Sequence, residues 1–240
     1  DPIPVTGTDG KVHVVYELVV LNDSPRRATI TSVETLTDGP GGDVVATMDR
    51  AEVRSSSLLV AGFGETVAGI PVGRTAVVLV DDVFATRAEV PATLTHRITA
   101  AFGAPGSEQM AALAARYPGT VSQVGGQVRV SGETPVVIGP PLAGADWGAG
   151  NGCCGLTSHR GAVQPLGGRL NAAERYAIDW VRFDTTTDPA TTSHSDGTAN
   201  TDYLAYGADV LAVADATVVS VVATLRDEPP QQAPTTLGLE

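Results

Sequence analysis

Basic residues and long apolar runs are both scarce in this sequence. The 15 Lys and Arg residues stand against 27 Asp and Glu residues, which gives a formal net charge of −12 at pH 7. A nucleic-acid partner requires a basic face and a polybasic membrane anchor requires clustered cations, so this balance argues against both. No apolar run approaches the roughly 20 residues that span a bilayer, so we expect no membrane span. Because the sequence begins at Asp1, it says nothing about an export signal.

Short motifs that mark many enzymes are also missing. We find no Gly-x-Ser-x-Gly elbow, phosphate-binding loop, His-Glu-x-x-His helix or dinucleotide fingerprint. None of the four histidines belongs to a His-x-His pair, in which two imidazoles on one strand face can bind one metal ion. We expect His13 and His96 to be exposed strand residues and His194 to lie in a polar loop.

Cysteine is limited to the adjacent pair Cys153 and Cys154. The sequence leaves three alternatives open, namely two free thiols, a vicinal disulfide in a strained ring, or a metal role together with His159. Neighbouring strand residues point to opposite faces, so we do not expect both thiols to bind one ion.

Turn-forming residues are frequent, and they separate short Val-rich runs. The 27 Gly and 16 Pro are typical of an all-β chain in which turns interrupt the strands often. From Val12 to Val20 the residues alternate, which predicts a half-buried strand with His13 and Glu17 on its solvent face. The residues predicted to face the core are Val12, Val14, Tyr16, Leu18 and Val20.

Further runs predict the remaining strands of the same domain. They lie at 28–36, 44–48, 57–60, 75–80, 94–101 and 136–138. Together they predict an immunoglobulin-like antiparallel β-sandwich over residues 1–140. Asp81 and Asp82 follow one of these runs, and we expect their carboxylates to be solvated.

Other segments suggest how the chain continues. Residues 107–117 are rich in helix formers and begin with a capping Ser, which predicts a short surface helix. The Gly- and Pro-rich residues 141–156 predict a connection between domains, with Trp147 as a packing anchor. We expect residues 157–240 to form the second domain, in which the polar tract 184–202 is a loop.

Two stretches in the last third of the chain carry a pattern. Glu174-Arg175-Tyr176-Ala177-Ile178-Asp179-Trp180 is followed, after the polar tract, by a Val- and Ala-rich segment from Gly207 to Val221. This pattern resembles the opening of the lysostaphin-type (LytM-like) zinc peptidoglycan endopeptidase domain, in which a strand ending in His-x-x-x-Asp precedes a strand pair. Ala177-Ile178-Asp179 matches the Asp end of that motif. Arg175 stands where the family has its His.

The resemblance implies a mainly-β protein in which the sandwich precedes the first part of a LytM-like antiparallel sheet domain. It also implies zinc as the cofactor, with Asp179 as a ligand and His159 as the nearest replacement for the missing His. Arg175 has no lone pair to give, so we expect it to pair with Asp179 or to bind a stem-peptide carboxylate. Without a His-x-His pair the site lacks a third ligand and a general base, and we expect this chain to be inactive alone.

Two functional hypotheses follow, and both belong to the cell envelope. The first is a secreted or envelope-associated protein of the metallopeptidase family, incomplete or inactive in this chain, with peptidoglycan or its stem peptides as partners. It includes the expectation that the domain continues beyond Glu240, because the polar segment 227–240 resembles an insertion between strands. The second is a non-catalytic cell-envelope binding or regulatory module.

Overall fold

The protein folds into two compact units. The computed structural model describes residues 1–60, 67 and 69–230. The first unit contains residues 1–135 and 151–177, and the second contains residues 136–150 and the chain from 178 onward. This division does not coincide with the ranges expected from the sequence, because residues 151–177 return to the first unit. Residues 231–240, the larger part of the expected inter-strand insertion, lie outside the described residues.

Antiparallel strands dominate the described structure, which confirms the mainly-β class. In chain order the strands are β1 (Val5–Thr6), β2 (Val12–Leu21), β3 (Arg26–Thr37), β4 (Val44–Met48), β5 (Ser57–Leu59), β6 (Thr75–Phe84), β7 (Thr93–Pro105), β8 (Thr120–Arg129), β9 (Trp147–Gly150), β10 (Gln164–Leu166), β11 (Arg169–Asn171) and β12 (Asp179–Arg182). Short α-helices lie at Arg50–Ser55 (α1), Ala111–Ala114 (α2) and Ser158–Gly161 (α3). Nowhere in the described part of the chain is a helix long and apolar enough to cross a membrane.

Two four-stranded antiparallel sheets form the centre of the first unit. One sheet has the order β1-β2-β6-β5 and the other has the order β4-β3-β7-β8. β2 and β6 pair along their whole length, from Val12 opposite Phe84 to Leu21 opposite Thr75. Both strands are rich in valine, whose branched side chain packs well on a pleated surface.

One hydrophobic core joins the inner faces of these sheets. Of the residues predicted to face inward on β2, all but Val20 are buried in this core, and Val20 packs against it partly exposed. Other strands contribute Ile30, Val33, Val78, Val80 and Leu94. Because each such side chain stabilises the fold by about 1.5–3 kcal/mol when buried, this core accounts for much of the stability of the first unit.

The outer face of the first sheet is covered as well, which the sequence did not predict. Val15 is fully buried although it points away from the inner core. A second apolar cluster forms on that face from Leu58, Val77, Leu79 and Val163, with Leu156 and Ala172 packed against it. Residues 151–177 therefore cover the face on which His13 and Glu17 were expected to meet solvent.

The second unit has little regular structure among its described residues. β9 and β12 pair from Trp147 opposite Arg182 to Gly150 opposite Asp179. Residues 184–202 form the predicted loop, with isolated bridges joining residues 184 to 191 and 193 to 203. Between residues 207 and 221 there is no strand, only one bridge from Val210 to residue 142, so the strand pair expected there is not formed.

Candidate functional site

His159 lies on α3, and a backbone carbonyl fixes its ring. Thr157 caps this helix by accepting a hydrogen bond from the N–H of Arg160 at 3.1 Å. Nδ1 of His159 lies 3.1 Å from the carbonyl oxygen of Ala177. A carbonyl can only accept, so Nδ1 carries the hydrogen and donates it to Ala177. Metal-binding histidines commonly have this arrangement, with a carbonyl or carboxylate on the other nitrogen.

Asp179 opens β12 in the second unit, where it pairs with Gly150. The resemblance predicts that a strand ends at Asp179, and this is wrong, because β12 begins at this residue. Its side chain is exposed, and a carboxylate is a ligand type that zinc accepts. His159 belongs to the first unit and Asp179 to the second. A joint metal site of these two residues therefore stays a prediction.

Arg175 is held by a carboxylate that the sequence did not identify. Its Nε donates to Oε1 of Glu17 at 2.8 Å, and its Nη2 donates to Oε2 of the same group. This two-point contact matches a planar guanidinium to a carboxylate. The hydrogen bonds to Glu17 raise the pKa of Arg175 above its usual value. No local sequence signal could have found a partner 158 residues away.

A second arginine, Arg160, approaches the same carboxylate from the interior. It is 1% exposed, and its Nη2 donates to the carbonyl oxygens of Tyr16 and Val80 at 3.0 Å each. Its Nε lies 3.4 Å from Oε1 of Glu17, an ion-pair distance without hydrogen-bond geometry. Burial lowers the pKa of Arg160, and the charge of Glu17 opposes this effect. Glu17, Arg160 and Arg175 together carry one positive charge in excess.

His13 lies between two carboxylates rather than at solvent, so the expectation of an exposed histidine is wrong here. Its Nδ1 is 2.9 and 3.0 Å from the two oxygens of Asp81, and its Nε2 is 3.2 Å from Oδ1 of Asp9. Ionised carboxylates only accept, so both ring nitrogens act as donors. Burial lowers the pKa of His13, but the hydrogen bonds to Asp81 and Asp9 outweigh it and the pKa lies above its usual value.

The adjacent cysteines form a disulfide beside this histidine. Cys153 and Cys154 are bonded to each other, which decides among the alternatives that the sequence left open. One ring nitrogen of His13, one carboxylate oxygen of Asp81 and Sγ of Cys154 lie within 4.8 Å of one another. All three are metal-ligating residue types. Sequence reasoning missed this group because its members come from three segments far apart in the chain.

A buried hydrogen-bond network crosses the core between the two sheets. Tyr16 donates its O–H to Oδ2 of Asp82 at 2.5 Å, and the hydroxyl oxygen of Tyr16 lies 2.7 Å from Nε2 of His96. Nδ1 of His96 is 2.7 Å from the carbonyl oxygen of Gly126, and Thr35 donates to Oδ1 of Asp82 at 3.1 Å. His96 is 0% exposed and Asp82 is 2% exposed. The expectations of an exposed His96 and a solvated Asp82 are therefore wrong.

Both errors have the same physical reason. Asp82 lies beyond the predicted stretch 75–80 but still within β6, and His96 lies inside the predicted stretch 94–101 of β7. In both strands the alternation of faces continues through the polar residue. Asp82 shares the inner face of β6 with Val80 and Phe84, and His96 shares the inner face of β7 with Leu94. The sequence signal for Asp82 and His96 was a polar residue at the same alternating strand positions as apolar residues that face the core.

The residues named by the resemblance do not complete a catalytic zinc site. Such a site needs three protein ligands and an open position for water. The ring of His159 is oriented by the carbonyl of Ala177 and Asp179 has a suitable oxygen, but Arg175 is a cation bound by Glu17 and has no lone pair to donate. Two donors do not make a closed ligand set, so zinc held by them alone is bound weakly. We assign no catalytic step to a metal at these residues.

An open cavity of about 430 Å³ lies in the second unit. Its lining includes Trp180 and Arg182 of β12 together with Tyr203 and Tyr206. Trp180 and Tyr206 are exposed. Aromatic side chains with one apolar and one polar end suit ligands that are themselves partly polar, such as sugars and peptides.

Neither a protein-family model, nor a curated protein, nor a solved structure matches this chain. The class of protein is therefore defined by its own fold and sites. It is a mainly-β antiparallel protein of two compact units. Its first unit contains a vicinal disulfide and two arginines, one buried and one half-buried, that share a carboxylate.

Proposed function

We propose that this protein acts at the cell wall as a non-hydrolytic relative of the LytM-like zinc endopeptidases. The observation that carries the proposal is the hydrogen bond that orients the ring of His159. Its Nδ1–H donates to the carbonyl of Ala177, two residues before Asp179, which is the kind of contact that commonly orients metal-binding histidines. In this proposal the sandwich over residues 1–140 is immunoglobulin-like, and residues 157–240 correspond to the opening of the LytM-like sheet domain.

The ligand in this proposal is a stem peptide of peptidoglycan. A guanidinium has five N–H donors, of which Glu17 takes two from Arg175. The Arg175 side chain is 31% exposed, so it remains accessible to a peptide carboxylate. The excess positive charge shared with Arg160 favours such an anionic ligand, because both guanidinium groups pair with the one carboxylate of Glu17.

The proposal implies a secreted or envelope-associated protein. The Cys153–Cys154 disulfide supports this location, because disulfides persist in oxidising compartments and are rare in the cytosol.

The test of the missing activity is the release of amino groups from purified cell walls, measured with and without a chelator. We expect no chelator-sensitive release by the 240-residue chain, since its sequence has no His-x-His pair to supply a third zinc ligand and a general base. Chelator-sensitive hydrolysis would show that other residues complete the site and would overturn the non-hydrolytic proposal.

The test of binding is co-sedimentation with insoluble peptidoglycan, combined with a zinc titration. We expect Arg175→Lys, which keeps the charge but loses the two-point geometry, to weaken co-sedimentation. His159→Gln and Asp179→Asn should each remove the weak zinc binding. His194→Gln, in the polar loop, is the matched control and should change neither result.

A second candidate function is a non-catalytic envelope-binding or regulatory module that uses the aromatic cavity of the second unit. The exposed Trp180 and Tyr206 in that cavity favour it. Trp180→Ala and Tyr206→Ala should then reduce co-sedimentation, whereas Arg175→Lys should not. Tyr117→Ala, which removes an exposed tyrosine of the first unit, is the control. If none of these changes weakens co-sedimentation, both binding proposals fail.

A further inference from the structure

The group formed by His13, Asp81 and Cys154 differs from the residues used so far. It lies entirely in the first unit. Nδ1 of His13 and Oδ1 of Asp81 are 2.9 Å apart. Two ligands of a tetrahedral zinc, each about 2.0–2.1 Å from the ion, are about 3.3 Å apart. An ion could therefore replace the hydrogen between them after a widening of a few tenths of an ångström.

The third member of the group is blocked in the oxidised protein. A metal ligand must be the thiolate form of cysteine, and Sγ of Cys154 is bonded to Cys153. Cys153 is exposed and Cys154 is half-buried, so a reductant can reach the bond from the Cys153 side. Once reduced, Cys154 has its sulfur within 4.8 Å of the other two ligand atoms.

We propose that His13, Asp81 and Cys154 form a binding site for zinc or a similar thiophilic divalent cation, which opens when the Cys153–Cys154 disulfide is reduced. The reductant is a dithiol, which gives two electrons and two protons to the disulfide and becomes a disulfide itself. Cys154 and His13 then each release a proton to solvent as the cation binds. A water molecule completes the four-coordinate shell.

The surroundings of His13 prepare it for this role. With Nδ1 on the cation, Nε2–H still donates to Oδ1 of Asp9, so this carboxylate orients the ring as in many zinc sites. Asp9 is itself held by the N–H of Lys11 at 3.0 Å. A Cβ on Gly7 would come within 2.8 Å of both Oδ1 of Asp9 and Nε2 of His13, so a larger residue there would displace these two side chains.

Two serine variants distinguish the proposed metal ligand, Cys154, from its disulfide partner, Cys153. Cys153→Ser and Cys154→Ser both abolish the disulfide, but only Cys153→Ser keeps the thiolate of Cys154. Cobalt(II) is the probe, because a bound thiolate gives a thiolate-to-cobalt charge-transfer absorption that other ligands do not give. The protein is reduced with a water-soluble phosphine, which is removed without air before the titration, and zinc is then added as a competitor.

We expect the absorption in reduced wild type and, without any reductant, in Cys153→Ser. It should be missing in oxidised wild type and in Cys154→Ser. His13→Gln and Asp81→Asn should weaken cobalt binding at least about tenfold, and Asp9→Asn about tenfold. His159→Gln should leave the absorption unchanged, which separates this site from the proposed cell-wall function. Circular dichroism of each variant verifies its fold.

Two results would overturn the proposal. One is equal cobalt binding by Cys153→Ser and Cys154→Ser. The other is full-strength absorption in folded His13→Gln and Asp81→Asn, because the thiolate would then bind cobalt without the other two residues.

Discussion

At the scale of single residues, the Tyr16, Asp82 and His96 network limits where protons can sit. Nδ1 of His96 must carry hydrogen because the carbonyl of Gly126 only accepts. Tyr16 has one hydrogen, yet its oxygen contacts both Asp82 and Nε2 of His96. Both contacts are hydrogen bonds only when the network holds one proton more than ionised Asp82 and neutral His96 provide. That proton lies on Asp82 or on His96.

The pH dependence of stability provides a first test of this network. Burial raises the pKa of Asp82 to about 6, although hydrogen bonds from Tyr16 and Thr35 oppose it. The folded protein therefore holds this proton at a pH where the unfolded chain has lost it, and stability falls as pH rises from about 4 to about 6. The loss amounts to about 3 kcal/mol, since one pKa unit corresponds to about 1.4 kcal/mol.

Asp82→Asn should remove this loss, because an amide does not titrate and imitates the protonated carboxyl. We expect the variant to match wild type near pH 4 and to be more stable by about 3 kcal/mol at pH 7. The measurement is the free energy of unfolding in urea at several pH values. Burial lowers the pKa of His96. This shift affects the stability of wild type and of Asp82→Asn alike, so it cancels when their free energies of unfolding are subtracted. If the difference in unfolding free energy between Asp82→Asn and wild type stays constant with pH, the prediction is wrong.

A second prediction concerns Glu17, whose single carboxylate is the shared counter-charge of two guanidinium groups. Its side chain is 11% exposed and that of Arg160 is 0% exposed. Glu17→Gln leaves a buried cation without its counter-charge and should cost about 3 kcal/mol of unfolding free energy. The control is Glu34→Gln, which breaks a pair with Arg97 whose partners are 29% and 34% exposed. It should cost less than about 1 kcal/mol, and equal costs would contradict this reading.

At the scale of secondary-structure elements, the starts of two helices show which capping hydrogen bonds are formed. The predicted helix at 107–117 is present as a 3₁₀ turn, Glu108–Met110, that continues into α2. Ser107 begins it but makes no capping hydrogen bond, so the predicted cap is wrong. α1 has a complete capping box, in which Asp49 accepts from Ala51 and Glu52 at 2.7 and 2.9 Å and the Glu52 side chain accepts from the N–H of Asp49.

Capping leads to a third prediction. Asp49→Ala removes two hydrogen bonds at the start of α1 and should lower the free energy of unfolding by about 1 kcal/mol. Ser107→Ala removes a residue of the same capping type that makes no such bond, and it should change stability by less than about 0.5 kcal/mol. Urea unfolding of both variants provides the comparison. A larger loss from Ser107→Ala than from Asp49→Ala would show that the caps are assigned wrongly.

At the scale of the whole molecule, stability depends on how residues 151–177 close over the first sheet. Val163 is 7% exposed and belongs to the outer apolar cluster, whereas Leu166, three residues later, is 46% exposed. Val163→Asp places a charge in that cluster and should lower the free energy of unfolding by about 3 kcal/mol or more. The variant should also bind a hydrophobic dye, because its apolar cluster becomes exposed. Leu166→Asp should cost less than about 0.5 kcal/mol. Similar unfolding midpoints for the two variants would mean that the covering segment contributes little.

Much of the fold could be predicted from periodicity, because alternation along a strand is a local property. The inner face of β2, the mainly-β class and the loop at 184–202 follow from it. Of the candidate site, the sequence could supply only residue types, such as the carboxylate of Asp179 and the imidazole of His159. The partners Glu17 and Arg160 could not be predicted, because they meet Arg175 only through the return of residues 151–177 to the first sheet.

The sequence by itself determined the period of the strands, the positions of the turns and the negative charge of the chain. Only the tertiary structure decided which polar residues are buried, because burial depends on what packs over a face and not on which face a residue occupies. His13, Glu17 and Asp82 all have strand positions that alternation assigns correctly to a face. Their chemistry follows from the segments that cover those faces, which lie far away along the chain.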